Sequence, residues 1–119
     1  MAQGSGSATR GLALGGLLAA FLLLGVADAA THRVDWSFNA DNWSKGKSFR
    51  AGDVLEFNYD PSVHNVVAVD AGGYYGCQSS GTPYSSGSDR ITLGPGTNYF
   101  ICSLSGHCGM GMKMTVNAS

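Results

Sequence analysis

The chain has 119 residues and a formal net charge of −1 at neutral pH, with only 13% of its residues charged. It carries no basic run and no interleaving of aromatic with basic residues, which argues against nucleic acid as a partner. Once an N-terminal leader is set aside, about 90 residues remain, enough for one domain with a modest core.

The leader comes first. Arg10 supplies a positive start, Gly11 to Val26 form an apolar run, and Ala27-Asp28-Ala29 offers an A-x-A cleavage site. Residues 1–29 are therefore expected to be a secretory signal peptide, cut near 29/30, and residues 30–119 the mature domain. The Gly-rich apolar run falls short of the roughly 20 residues that a membrane-spanning helix needs. Asn117-Ala118-Ser119 at the other end lacks the apolar tail of a glycolipid-anchor signal. A secreted mature chain without a membrane anchor is the expectation. Removing Arg10 and Asp28 from the 7 basic and 8 acidic residues leaves the net charge at −1.

After the leader the patterning is all-β. Asp53 to Tyr59 alternates, with Leu55, Phe57 and Tyr59 on one face and Glu56 and Asn58 on the other. Val63 to Val69 is β-branched and nearly continuous, as in a strand covered on both sides. Gly72 to Asp89 is dense in Gly, Ser and Tyr without a period and reads as a long loop with at most a short strand or turn. Arg90 to Leu93 and Thr97 to Cys102 flank Gly94-Pro95-Gly96 and read as a hairpin. Met112 to Val116 closes the domain, with Lys113 and Thr115 outward. There is no internal repeat and no linker, and short strands spaced by turns suggest a two-sheet Greek-key sandwich.

The chemistry gathers near the C-terminus. A thiol, an imidazole and a thioether recur at five-residue intervals, as Cys102, His107 and Met112, and a second imidazole, His64, lies upstream. Two imidazole nitrogens, a thiolate and a weak thioether form the donor set of a blue-copper electron-transfer site. Soft sulfur favours Cu(I) and imidazole tolerates both oxidation states, so a fixed compromise geometry lets one electron pass with little rearrangement. Each residue also has an ordinary reading. A lone His in an apolar run is commonly a core residue, a free Cys commonly a buried structural thiol, and Met110 rivals Met112 for the thioether role. The odd cysteine count of a secreted chain is itself a feature to explain.

These residues closely resemble the phytocyanins, the plant blue-copper proteins, and within them the plantacyanin (basic blue protein) branch. The resemblance runs through Trp43-Ser44-Lys45-Gly46-Lys47, Phe49-Arg50-Ala51-Gly52-Asp53, Phe57-Asn58-Tyr59 and His64-Asn65-Val66. It continues through Cys102, His107-Cys108 and Gly111-Met112 to Asn117. It implies an all-β, cupredoxin-like Greek-key sandwich or barrel with one or two short helical segments, one of them over Asn39 to Lys45. It implies one type-1 copper ion held by His64, Cys102, His107 and Met112, with Cys77 bridged to Cys108. The competing bridge, Cys77 to Cys102, would leave Cys108 next to His107 as the metal-facing thiol, although neighbours on a strand point to opposite faces. By the same resemblance, Asn65 ties the His64 segment to the Cys102 loop and His107 is the better candidate for solvent contact. The chain departs from the branch twice. It is not basic, and Val34 to Phe38 lacks a glycine-rich turn, so the first strand is expected to be short or unusually paired.

The resulting expectation is a secreted, monomeric type-1 copper protein of the cell wall or apoplast, passing single electrons to a partner that is a protein or a small molecule. The alternative is an extracellular matrix or signalling protein in which copper is ancillary. An enzyme using Cys102 with His107 is weakly supported, because no motif places a residue to orient the imidazole. A structural zinc site is equally weak, since thioether is a poor zinc ligand. Asn42-Trp43-Ser44 makes Asn42 a possible glycosylation site. His32 has no partner in its own stretch of sequence and is expected to be solvated.

Overall fold

A computed structural model describes residues 29–119, so the expected leader up to Asp28 lies outside the described residues. Seven strands among these form two sheets packed face to face. The first sheet has the order β1 (Thr31–Asp35), β2 (Val54–Asn58), β5 (Ser88–Thr92). The second runs β4 (Thr82–Tyr84), β3 (Val66–Val69), β6 (Gly96–Ile101), β7 (Lys113–Ala118). Helix α1 (Asp41–Ser44) confirms the short helical segment expected there. The sheets stay separate, a sandwich rather than a closed barrel.

The period-2 alternation decides the core. Leu55 and Phe57 of β2 are fully buried, as are Met114 of β7 and Val34 of β1, and Phe100 of β6 is nearly so. Trp36 meets Phe57 edge-on at 5.2 Å, and Phe57 meets Phe100 at 5.0 Å. Burying one such side chain contributes about 1.5–3 kcal/mol. Lys113 and Thr115 do point away from this core, under the helices.

Four expectations are revised. Arg90–Leu93 and Thr97–Cys102 do not form a hairpin: β5 pairs with β2, and β6 pairs with β3 and β7 in the other sheet. Both segments carry buried residues, Ile91 and Leu93 on one side and Phe100 on the other, so the chain turns the corner between the sheets to cover the core from both faces. Asn98 holds that corner, accepting from the Gly94 N–H at 3.0 Å and donating to the Gly94 carbonyl at 2.9 Å.

The strand expected over Val63–Val69 begins only at Val66, because a turn starting at Asp60 reaches as far as His64. Its start is covered on both sides, with Val66 in the main core and Val67 in a second cluster with Tyr74, Ile101 and Cys108. The first strand is not short of partners. β1 pairs with β2 in parallel over five residues, and the Trp36 N–H extends the ladder to the Asn58 carbonyl at 3.0 Å.

The long loop contains α2 (Ala71–Gly76) and β4. Ala-Gly-Gly-Tyr-Tyr-Gly is a poor helix sequence, so the helix is fixed from outside. Asp70 caps it, its Oδ1 accepting from the Gly73 N–H at 2.8 Å. Gly73 lets the helix lie close on β3: a Cβ there would meet the Val69 Cβ at 2.7 Å. Tyr74 donates from its hydroxyl to Asp41 of α1, and the Lys113 ammonium of β7 lies 4.4 Å from the Tyr74 ring centroid. Burial first, then the Asp41 contact, pushes the Tyr74 phenol upward.

Candidate metal centre

The candidate donors reach the site from two devices, a turn and a loop. His64 leaves the turn that Asp60 builds, whose Oδ1 accepts from the Ser62 hydroxyl at 2.7 Å and the Ser62 N–H at 2.9 Å. Those two bonds, the hydroxyl first, hold the Asp60 carboxyl below its ordinary range. The His64 N–H also donates to the Asp60 carbonyl at 3.1 Å. Cys102 follows the last residue of β6, and its N–H donates to the Met112 carbonyl at 3.0 Å. The Met112 N–H in turn donates to the His107 carbonyl at 3.0 Å, and the His107 N–H to the Leu104 carbonyl at 2.9 Å. Cys102, His107 and Met112 thus sit on one loop that is closed by its own backbone.

Two fastenings join that loop to the rest. Asn65 accepts from the Ser103 N–H at 2.8 Å through Oδ1 and donates to the Ser103 hydroxyl at 2.9 Å through Nδ2. The link expected of Asn65 is therefore present. Its own carbonyl accepts from the Trp36 indole N–H at 2.8 Å. The second fastening is the disulfide between Cys77 and Cys108, Cα–Cα 5.7 Å. It leaves Cys102 free and buried, which removes the competing Cys77–Cys102 bridge. Closing a 31-residue separation contributes about 3.5–4 kcal/mol in the chain-entropy model.

His64, Cys102 and His107 converge. The two Nδ1 atoms are 3.3 Å apart, and the Cys102 Sγ lies 3.6 Å from His107 Nδ1 and 4.0 Å from His64 Nδ1. A triangle with those sides has a centre about 2.1 Å from every corner, inside the roughly 2.0–2.3 Å range of metal–nitrogen and metal–sulfur bonds. Two neutral imidazoles could share a proton across such a gap, but that would not account for a thiol aimed at the same point. The donor set therefore fits a transition-metal ion, and its mix of soft sulfur and imidazole suits copper.

Met112 is fully buried and belongs to the same core cluster as Cys102, whereas Met110 is 65% exposed. The two candidate thioethers therefore differ in burial. Met114 fills the core beneath them. His64 and His107 are both half-buried, so they share the solvent contact expected chiefly of His107.

A model of the plastocyanin-like domain matches residues 35–112. The chain is 53% identical to a chemocyanin of Lilium longiflorum, over 100% of both chains. Among solved structures, cucumber basic protein, a blue copper protein, superposes with a TM-score of 0.72 at 49% identity, over 75% of this chain and 99% of that one. Spinach plantacyanin does so at 0.70 and 55%, with the same two shares. This chain belongs to the plastocyanin-like family, in its phytocyanin branch.

Sequence reasoning missed part of this phytocyanin's site. Phe38 stands edge-on to His107 at 5.2 Å and to His64 at 6.0 Å, forming a lid over both imidazoles while remaining 38% exposed. The Trp36-x-Phe38 spacing was the available signal: one aromatic fixes Asn65 and the next-but-one covers the histidines.

The expectation for His32 is corrected. It is half-buried, its Nε2 lies 3.0 Å from the Asp53 Oδ2, and its ring meets Phe49 edge-on at 4.9 Å. A partner 21 residues away left no mark in the local sequence. Asn42 is exposed on α1, while the Ser44 of its sequon donates to the Thr115 carbonyl at 2.9 Å.

Proposed function

We propose that this phytocyanin holds one type-1 copper ion and passes single electrons between partners outside the cell. His64 and His107 would hold the ion through Nδ1, Cys102 through its thiolate, and Met112 through a weaker thioether contact. When bound, copper supplies a one-electron Cu(II)/Cu(I) couple. Everything else is the work of the chain: Asn65, Trp36 and the disulfide hold the donor-bearing segments in place, which favours transfer with little rearrangement. The observation that carries this reading is the convergence of three donors on one point at bonding distance.

Further features support it. Val63, Leu104 and Met110 are exposed apolar residues next to His64 or within the loop that carries His107, and with Phe38 they give the half-buried imidazoles an apolar surround. Such a surround suits brief docking of a redox partner, a protein or a small molecule, on a monomer. Cys102 is buried and its segment is locked by backbone bonds, which favours an electron carrier over an enzyme with a thiol nucleophile. The leader and the disulfide favour secretion to the wall or apoplast, where exposed Asn42 is open to glycosylation. Among the described residues no helix is long and apolar enough to cross a membrane.

The test is a copper titration of the chain from Ala30 onward. One equivalent should develop an intense visible band from thiolate-to-Cu(II) charge transfer. Cys102→Ser should abolish the band, while Met112→Gln should keep the colour and lower the reduction potential. Stoichiometric copper binding without colour would refute the proposal.

A further inference from the structure

Asp53 lies in the turn entering β2 and is only 3% exposed. Its Oδ1 accepts from the Ala30 nitrogen at 2.9 Å, and its Oδ2 from the Arg50 backbone N–H at 3.1 Å, with His32 Nε2 at 3.0 Å. Among the described residues no lysine or arginine side chain pairs with it. A buried carboxylate met mainly by backbone dipoles is short of a fixed countercharge, and charged partners make the stronger hydrogen bonds.

The Ala30 nitrogen is well placed to become that charge. Its position is fixed from the other side, because the Ala30 carbonyl accepts from the Val54 N–H at 2.8 Å where β1 joins β2. Ala29 and Ala30 are both exposed, so the bond between them is open to a peptidase. Ala27-Asp28-Ala29 has small residues at the two positions a leader peptidase reads.

Resting on the leader cleavage expected near 29/30, we propose that the α-ammonium freed at Ala30 is the counter-ion Asp53 is arranged to bind. Hydrolysis breaks the C–N bond. Water gives its hydroxyl to the Ala29 carbonyl carbon and a proton to the Ala30 nitrogen, and the new amine takes a further proton from solvent. An amide donor then becomes an ammonium at the same place, charged at neutral pH because a free α-amine titrates near 8. Removing the leader thereby fastens β1 to the first sheet. The device is independent of copper.

Thermal melts of two metal-free chains test this, one beginning at Ala30 and one carrying Ala29 in front. The Ala30 chain should melt higher at neutral pH, by about 4–8 °C, and Asp53→Asn should erase the difference. Equal melting, or a difference that survives Asp53→Asn, would overturn the proposal. Should Asp53→Asn fail to fold, an NMR titration of nitrogen-15-labelled Ala30 in the unmutated chain decides. The α-amine, faced by Asp53 with His32, Arg50 and the terminal Ser119 lining the same cleft, should titrate above the ordinary value of about 8; a midpoint at or below it would overturn the proposal.

Discussion

Truncating Asn65 to alanine removes both amide contacts to Ser103 while leaving the backbone carbonyl that Trp36 holds. The two ligand segments then lose their direct tie. Copper affinity should fall about 10–100-fold, as for other residues that hold ligands in place, and competition against a chelator measures it. An unchanged affinity would show that the disulfide and Trp36 suffice.

Asp53 makes a second prediction at this scale. The Ala30 N–H, the His32 imidazole and the Arg50 N–H, in that order, lower its carboxyl to about 2 against the burial that raises it. A carboxyl depressed in the folded state stabilises the fold above its unfolded value and loses that contribution as pH falls through the folded one. Urea-unfolding stability should therefore drop between about pH 5 and pH 2. Asp53→Asn should flatten that slope by one proton. The converging trio of His64, Cys102 and His107 was legible in sequence because donor chemistry admits few residue types. His32, Trp36 and Phe38 were harder to place, since each is defined by a partner far along the chain.

Elements were legible where one face alone is buried, as in β2 and β7. Where tertiary contacts decide, they were not. Gly-Pro-Gly looks the same whether the next strand returns to its own sheet or crosses to the opposite one. The α2 segment has weak helix propensity and is set by Asp70, Gly73 and the Cys77 bridge. Gly81, leading into β4, gives a sharp test of this close packing. A Cβ there would lie 1.9 Å from the Ala68 carbonyl oxygen of β3. Gly81→Ala should therefore cost about 1–3 kcal/mol or more through overpacking, measured by denaturant unfolding. A neutral result would mean that the β3–β4 edge yields freely.

At the scale of the whole molecule, the sandwich is a frame that brings one turn and one loop together. The three-stranded sheet carries β2, after which the chain turns through Asp60 to His64, and β6 of the four-stranded sheet ends at Ile101, directly before Cys102. Alternation announced the sandwich; whether its sheets close into a barrel depends on strand pairings that no local pattern encodes. The most direct test is X-ray absorption at the copper edge of the loaded protein. The account predicts a first shell of two nitrogens and one sulfur, with the sulfur at about 2.2–2.3 Å and the nitrogens at about 2.0–2.1 Å. A shell of nitrogen and oxygen alone, with no short sulfur, would contradict it.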